Sequence, residues 1–286
     1  MLSEMITLEP DQFPQGLREI PQPPKVVYVE GTLPDPTEQI YLTVVGSRNY
    51  TRYGKEACET LIAGLAGYPF VIVSGLALGI DAIAHRAALN ANLPTVAVPG
   101  SGLDRSVLYP SANRELANEI LNRGGALLSE FEPTFRATIY SFPQRNRIMA
   151  GLSRGVLIVE ARERSGTLIT ARLALDYNRD LFVVPSSIFA QGVAGSQWLM
   201  KQGATPVTSA HDLLDAYGLA LTPAPKASLE NLSPYEQRIL DLLSEPLPRD
   251  YIIVELGLPT HEATVLLATL EIKGIIKEMG GEIHRV

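Results

Sequence analysis

The sequence predicts an α/β protein that combines a large, mainly parallel sheet with a small helical domain at its C-terminal end. Three observations predict this fold class. The chain of 286 residues exceeds what one small core needs, β-branched apolar runs alternate with helix-length segments, and an aperiodic Pro/Ala-rich stretch near residue 220 is typical of a semi-rigid linker. The expected parts are an N-terminal arm over 1–39, a sheet domain over 40–218, a linker over 219–230 and a second domain over 231–286.

The arm is rich in proline and contains one short apolar run, 26–29, that is expected to form an edge strand. From Ile40 onward, six apolar runs alternate with amphipathic segments, which predicts βαβ units and a parallel sheet covered on both faces. The runs are 42–45, 70–73, 95–98, 126–128, 156–159 and 181–184. Cys58 begins an i, i+3, i+4, i+7 stripe in the helix after the first run, so its thiol is predicted to lie in the core.

After the linker, Ser233-Pro234-Tyr235-Glu236 has the residues of a capped helix start. Helical patterns near 249–256 and over 260–273 follow, and the chain ends in a hairpin-like segment. This order predicts a winged helix-turn-helix. The third helix is expected to bury Ala263, Leu266, Leu267 and Leu270 and to expose His261, Val265, Ala268, Thr269 and Ile272.

The composition excludes wholesale disorder, because 46% of the residues are hydrophobic and 19% are charged. The single cysteine allows no internal disulfide, and the four histidines are too scattered for a metal site. The sequence shows no secretory signal and no run of about 20 apolar residues. We therefore expect a cytoplasmic protein with no metal, no cofactor and no membrane partner.

The net charge of −7 is unevenly distributed along the chain. Residues 229–286 hold five basic and ten acidic side chains, a balance of −5. Residues 136–172 hold seven arginines and two acids, a balance of +5. Because the planar guanidinium binds phosphate in bidentate fashion, the second segment is the candidate for contact with a polyanion.

Glycine-bearing turns follow several of the predicted strands, at the edge where open parallel sheets bind ligands. Glycine turns and helix N-termini expose backbone N–H groups that hold phosphate. The candidate phosphate-binding residues at these turns are Gly46, Ser47, Arg48, Ser74, Gly75, Gly79, Gly100, Ser165, Gly166 and Thr167. The alternative is that these glycines serve turn geometry alone.

A dense cluster of cations follows Pro143, which is expected to open a helix with Arg145, Asn146 and Arg147 in its first turn. Cations at a helix N-terminus oppose the helix dipole, so a bound anion explains them better than a structural role does. Further candidates are Arg162 and Arg164. The alternative is ion pairing with Glu130, Glu132 or Glu160.

No catalytic group stands out. Both G-x-G-x-x-G and the P-loop motif are absent. His85 lies inside a predicted helix and is expected to be structural, and Asp81 is expected to fix its own glycine-rich loop. With no acid/base pair and no nucleophile, we predict no catalytic residue.

At these motifs the chain resembles the DNA-processing protein A family, DprA, also called Smf. The matching segments, within about residues 11–216, are Val45–Arg48, Ser74–Asp81, Pro99–Gly102, Ser129-Glu130, Phe142–Arg147, Val159–Ala161, Ser165–Ala171 and Gly203-Ala204. The resemblance implies an extended Rossmann-like domain that dimerises, binds single-stranded DNA, protects incoming DNA and loads a RecA-type recombinase in natural transformation. The chain departs from the family pattern at Ser186, where the family usually has Gly, and at Gln197, where it commonly has Asn.

We therefore expect a non-enzymatic mediator that binds single-stranded DNA. One other hypothesis is a nucleotide-processing enzyme of the lysine-decarboxylase-like phosphoribohydrolase type, although its P-G-G-x-G-T-x-x-E motif is missing at Pro99–Asp104. Another is a protein-binding adaptor, which the acidic tail favours. Because the outer face of the third tail helix is largely apolar and the tail is negative, we expect that helix to contact protein rather than duplex DNA.

Overall fold

The computed structural model describes residues 5–163, 165–187, 189–190, 194–220, 232–272, 275–279 and 281–285. The chain divides into two compact units, residues 1–219 and 220–286. Most of the predicted linker lies outside the described residues, as does the candidate residue Arg164.

The first unit is built on a sheet that has nine strands in the described part of the chain. They are β1 (Met5–Leu8), β2 (Val27–Gly31), β3 (Ile40–Val45), β4 (Phe70–Ser74), β5 (Thr95–Ala97), β6 (Ala126–Ser129), β7 (Gly155–Ile158), β8 (Asp180–Val183) and β9 (Thr205–Pro206). Their order is β1-β2-β6-β5-β4-β3-β7-β8-β9. All neighbours from β6 to β9 are parallel. The six predicted apolar runs all form strands, so the predicted parallel sheet is confirmed.

The short run in the arm forms β2, but the prediction that it is an edge strand is wrong. β2 pairs antiparallel with β6 on one side and with β1 on the other. The true edge is β1, which pairs along four residues only. A strand this short carries too little alternation to be predicted from its sequence.

Helices cover both faces of the sheet. They are α1 (Gln15–Arg18), α2 (Arg52–Ala63), α3 (Ile80–Asn90), α4 (Arg114–Asn122), α5 (Ser141–Leu152), α6 (Gly166–Asp176), α7 (Ala194–Lys201) and α8 (Ala210–Ala216). Residues of α1, α5 and α6 pack with Val73 and Val156 on one face. Residues of α2, α3 and α8 pack with Leu42 and Ile72 on the other. Cys58 is fully buried there, and burial raises the pKa of its thiol, so its predicted place in the core is confirmed.

The order of the strands reverses beside β3. The chain forms β3 to β6 in one direction, returns to place β7 against β3, and continues outward through β8 and β9. The helices that follow β3 and β7 therefore leave on opposite faces and open a crevice between the carboxyl ends of these two strands.

The second unit has the predicted winged-helix fold. It comprises α9 (Pro234–Leu242), β10 (Leu247–Pro248), α10 (Arg249–Leu256), α11 (Thr260–Ile272), β11 (Ile276–Met279) and β12 (Glu282–Arg285). The Ser233 hydroxyl accepts from the Glu236 backbone, and the Glu236 carboxylate accepts from the Ser233 backbone at 2.8 Å. On α11, Ala263, Leu267 and Leu270 are buried and His261 and Val265 are exposed, as predicted. Leu266, predicted to be buried, and Ala268 and Thr269, predicted to be exposed, are half-buried. The side chain of Ile272 lies outside the described part of the chain.

Within the described residues no single helix is long and apolar enough to cross a membrane. The bent pair of α10 and the part of α11 up to Glu271 meets the length and composition requirement, but with a 120° bend. The same residues contain no group of three or more His, Cys, Asp or Glu side chains that could hold a metal ion.

His85 is buried in the first unit and supplies a test of the fold. Its Nδ1 lies 2.7 Å from the Thr95 hydroxyl, which donates to the Ile72 carbonyl at 2.7 Å. Burial, together with a smaller effect of the Arg145 charge, lowers the pKa of His85 to about 3. The imidazole is therefore neutral in the folded protein at ordinary pH.

We expect His85 to make the free energy of unfolding fall as the pH falls below about 6.5, the usual histidine pKa. Below that pH the unfolded chain gains a proton that the folded chain excludes, so the loss reaches about 1.4 kcal/mol between pH 7.5 and 5.5. Urea unfolding followed through Trp198, the single tryptophan, measures it. The His85→Asn variant should lose this pH dependence, and His261→Asn, at an exposed site, should keep it. Equal pH dependence in all three proteins contradicts the assignment.

Candidate functional site

A cleft of about 540 Å³ opens at the carboxyl ends of β3 and β7. Its walls come from the turn after β3, the first turns of α5 and α6, and the loop that precedes α3. The lining residues among the sequence candidates are Gly46, Ser47, Arg48, Arg145, Asn146, Arg162, Ser165, Gly166 and Thr167. The fold thus brings together segments that lie up to about 120 residues apart in the sequence.

The turn after β3 and the glycine-rich loop before α3 are packed directly on each other. A Cβ at Gly46 would lie 2.8 Å from the Ile80 side chain, and a Cβ at Gly79 would meet the Ser47 carbonyl and, at 2.6 Å, the Arg48 Cα. Gly79 has φ +87°, a conformation that favours glycine. The Ile80 backbone N–H donates to the Ser47 carbonyl at 3.2 Å. These glycines hold the cleft wall in place by close backbone approach.

Ser74 and Gly75 also help to hold the cleft wall in place, and neither residue lines the cleft. The Ser74 hydroxyl donates to the Val44 carbonyl at 2.6 Å and ties β4 to β3. The Gly75 backbone N–H donates to the Asp81 carboxylate at 3.1 Å, which confirms that Asp81 fixes its own loop. Burial raises the pKa of Asp81, although Arg145 opposes this shift.

Arg145 is a buried arginine, with 4% of its surface exposed. Its guanidinium occupies the space that Gly75 leaves without a Cβ, and it donates to the Val98 carbonyl at the end of β5. Burial lowers the pKa of Arg145 to about 10, and Asp81 opposes the decrease. The side chain forms part of the floor of the cleft.

Arg147 turns away from the cleft. It forms an ion pair with Glu130 and donates to the Gln22 carbonyl at 2.7 Å. The prediction that Pro143 opens this helix is wrong, because α5 begins at Ser141 and places the arginines in its second turn. The Ser141 hydroxyl holds this start by donating to the Gly100 carbonyl at 2.6 Å. The helix-dipole argument for a bound anion therefore no longer applies. For Arg147, the alternative prediction of an ion pair with Glu130 is confirmed.

Two cations face the cleft without an ion pair to any described carboxylate: Arg48 and Arg162, both exposed. Glu160 was a predicted ion-pair partner for these arginines. Instead it accepts hydrogen bonds from the backbone and the hydroxyl of Thr51, the N-cap residue of α2. The Arg48 guanidinium lies 5.4 Å from the centre of the Phe142 ring. The cleft therefore presents two free positive charges.

The N-terminus of α6 completes the cleft opposite Arg48. The Gly166 and Thr167 backbones begin this helix, and the Ser165 hydroxyl has no hydrogen-bond partner among the described residues. The Thr167 hydroxyl donates to the Gly46 carbonyl at 3.3 Å, and the Asn146 amide donates to the Gly166 carbonyl at 3.4 Å. Free N–H groups at a helix N-terminus attract anions through the helix dipole.

Aromatic rings stand beside the cations. Phe142 packs against Tyr109 with ring centres 5.4 Å apart, and a Cβ at Gly100 would lie 2.6 Å from the Phe142 ring. Tyr109 is 46% exposed and Tyr140 78%. Tyr109 was not among the predicted site residues, because nothing in the sequence of the loop after β5 indicates that this loop packs against α5.

The two positions at which the chain departs from the family pattern lie close together. The Gln197 side-chain amide of α7 donates to the Ser187 carbonyl at 3.3 Å, one residue after Ser186. They lie beyond the carboxyl end of β8 and do not line the cleft.

Two family models match the chain. The model described as DNA recombination-mediator protein A matches residues 4–218, and the model described as DprA winged helix domain matches residues 223–282. The first covers the unit that contains the cleft, and the second covers the winged helix.

Individual proteins are similar to the chain over most of its length. Protein Smf from Escherichia coli is 37% identical over 99% of this chain and 77% of its own. DNA processing protein DprA from Streptococcus pneumoniae is 44% identical over 71% of each chain.

Two solved structures share the fold. The X-ray structure of the Streptococcus pneumoniae protein matches with a TM-score of 0.68 at 39% identity, over 75% of each chain. The structure of DNA processing protein A from Helicobacter pylori matches with a TM-score of 0.67 at 32% identity, over 76% of this chain and 98% of that one. The Helicobacter pylori structure concerns the single-stranded DNA binding mode of that protein.

We expect Gly79→Ala to destabilise the protein more than Gly67→Ala. Both glycines have positive φ, +87° and +81°, but only Gly79 has atoms within 4 Å of the added Cβ. Positive φ costs an alanine about 1–2 kcal/mol, and the displaced Ser47 turn adds about 1–3 kcal/mol at Gly79 alone. Urea unfolding midpoints measure the difference. Equal losses for the two variants contradict tight packing between these turns.

Proposed function

The chain belongs to the DNA recombination-mediator protein A family, and we propose that it binds single-stranded DNA through the cleft between β3 and β7. In this proposal the protein protects incoming DNA and loads a RecA-type recombinase in natural transformation, acting as a homodimer. It does so without catalysis. The single observation that carries DNA binding is the pair of free arginines, Arg48 and Arg162, facing the N-terminus of α6.

The chemistry of the cleft suits phosphate. Two unpaired guanidinium groups and the N–H groups of Gly166 and Thr167 converge on one space, and both kinds of donor bind anionic oxygens. We assign phosphate contact to Arg48, Arg162 and the α6 N-terminus. Arg145, Asn146 and Arg147 are assigned to support of the surrounding structure instead, because each donates a hydrogen bond to a backbone carbonyl.

Single strands fit this site better than duplexes do. Aromatic rings beside the cations stack on bases only where those bases are unpaired. Tyr140 is mostly exposed and follows Ile139, which lines the cleft, and the Phe142 ring lies beside Arg48. Because phosphate contacts and stacking do not distinguish one base from another, the affinity should be nearly independent of the DNA sequence.

The enzyme hypothesis has weaker support. Asp81, a carboxylate that lines the cleft, is engaged with the Gly75 backbone, and His85 lies on the buried face of α3 at 0% exposure. Neither is placed to activate water at a bound nucleotide. Release of free base from a nucleoside monophosphate in an assay of the purified protein would favour the phosphoribohydrolase hypothesis instead.

The recombinase and the homodimer stay predictions from the family resemblance, and the cytoplasmic location stays a prediction from the sequence. Light scattering of the purified chain measures the dimer. Titration of a labelled oligo-dT by fluorescence anisotropy measures the DNA binding on which the rest of the proposal depends. Equal affinity for an oligo-dT and for a duplex of the same length would defeat the single-strand assignment.

We expect Arg48→Ala to weaken binding of oligo-dT by about 1.5–3 kcal/mol, the range for a hydrogen bond to a charged group. Removing both Arg48 and Arg162 should lower the slope of log K against log salt by about 1.4, because each phosphate neutralised on a single strand contributes about 0.7. Anisotropy titrations at several salt concentrations measure both quantities.

The matched control is Arg123→Ala. Arg123 follows α4 at the opposite, amino edge of the sheet and has a side chain that is 49% exposed. It should leave the affinity and the salt dependence unchanged. An unchanged salt slope in the Arg48 and Arg162 double variant would place the DNA outside this cleft.

We expect truncation after Gly218 to leave the affinity for oligo-dT within about threefold, under about 0.7 kcal/mol. The winged helix carries a balance of −5 over residues 229–286, and the exposed face of α11 includes Val265 at 63% exposure. Such a surface repels a phosphate backbone. A tenfold loss of affinity on truncation, measured by the same titration, would show that the tail binds the strand.

A further inference from the structure

Two exposed tyrosines lie outside the cleft and take no part in the site described above. Tyr50 is 44% exposed and Tyr53 is 53% exposed. They belong to the segment Tyr50-Thr51-Arg52-Tyr53-Gly54-Lys55, in which aromatic and basic residues alternate at the start of α2. Aromatic rings interleaved with cations are the composition of surfaces that bind single-stranded nucleic acid.

The hydrogen bonds of this segment place it at the same sheet edge as the cleft. The Thr51 backbone donates to Glu160, just past the carboxyl end of β7, at 3.0 Å. The Tyr53 hydroxyl donates to the Pro185 carbonyl, just past the carboxyl end of β8, at 2.8 Å. The tyrosines therefore lie on the β8 side of the cleft, whereas Tyr109 and Phe142 lie on its β5 side.

The segment is continuous with the cleft. Asn49, which precedes Tyr50, lines the cleft together with Arg48. Arg162 follows β7 and lies between the β3 turn and the β8 side. Along the carboxyl edge of the sheet, the aromatic residues on the β5 side are thus followed by the cations of the cleft and then by the two tyrosines on the β8 side.

We propose that Tyr50 and Tyr53 form a second base-stacking surface, which receives the single strand where it leaves the cleft on the β8 side. This inference rests on the proposed function. Four strand spacings separate β5 from β8, roughly 19 Å at about 4.8 Å each. A stacked strand advances about 3.4 Å per nucleotide, so the path from Phe142 to Tyr53 holds about six nucleotides.

The cations of the segment favour a nucleic acid over an apolar protein surface. Among the described carboxylates, Arg52 and Lys55 pair with Glu56 and Glu59 in exposed i, i+4 pairs, at 2.7 and 3.8 Å. Pairs of this kind contribute little stability, so both side chains can turn to a phosphate at small cost. A partner that offers bases and phosphates in alternation matches this order of groups.

The test compares oligo-dT lengths on the full chain by anisotropy. Wild-type affinity should rise from dT4 to dT12, and the Tyr50→Ala, Tyr53→Ala double variant should bind dT12 at least about tenfold more weakly while binding dT4 as the wild type does. Tyr53→Phe keeps the ring and should bind dT12 normally. Tyr251→Ala, at a tyrosine 50% exposed in the winged helix, is the matched control and should also bind normally.

Photocrosslinking tests the same point without a substitution in the protein. A dT12 that carries 5-iodouracil is irradiated with the wild-type chain, and adducts are located by mass spectrometry after trypsin. Adducts on Tyr50 or Tyr53 support the second surface. Adducts confined to Tyr109, Tyr140 or Phe142, or a double variant with wild-type affinity for dT12, overturn it and leave the proposed function intact. Failure of the wild type to bind dT12 at all defeats the proposed function itself.

Discussion

The cleft depends on one buried guanidinium. Arg145 lies where four elements meet: it fills the space above Gly75 after β4, donates to Val98 after β5, lies close to Asp81 on α3, and belongs to α5. A buried charge is costly unless it is compensated. The Asp81 carboxylate and the Val98 carbonyl offset that cost here. These contacts of Arg145 hold the floor of the cleft in place beneath the exposed side chains.

The four candidate DNA-binding arginines that the structure describes divide into two physical classes that sequence alone could not separate. Arg145 and Arg147 lie two residues apart on one helix and both looked like phosphate ligands, but one is buried and the other is paired with Glu130. Arg48 and Arg162 follow strands at the switch point and remain free of described carboxylates. The strand pattern and the glycine turns were predictable because they follow local periodicity and steric rules. Which carboxylate reaches which arginine depends on packing between distant segments.

The same distinction explains what sequence reasoning missed. Tyr109 packs against Phe142, but the two residues are 33 positions apart and no local sequence pattern predicts their contact. β1 closes the sheet with four residues of weak alternation. The Gly46 and Gly79 turns, by contrast, were found through their glycines, although their role is to let two backbones touch. In the proposed phosphate site their contribution is indirect, through the position of Arg48 and the free N–H groups of α6.

An acidic protein can present a polyanion site because electrostatics at a surface is local. Charges more than about 8 Å apart in water are largely screened at physiological ionic strength, so the net charge of −7 summed over the whole chain does not set the potential inside the cleft. Three carboxylates in or around the cleft each have a donor: Asp81, which lines the cleft, accepts from Gly75, Glu160 accepts from Thr51, and Glu130 accepts from Arg147. The acids are thereby used to hold backbone and helix starts in place. Arg48 and Arg162 are left to set the sign of the local potential.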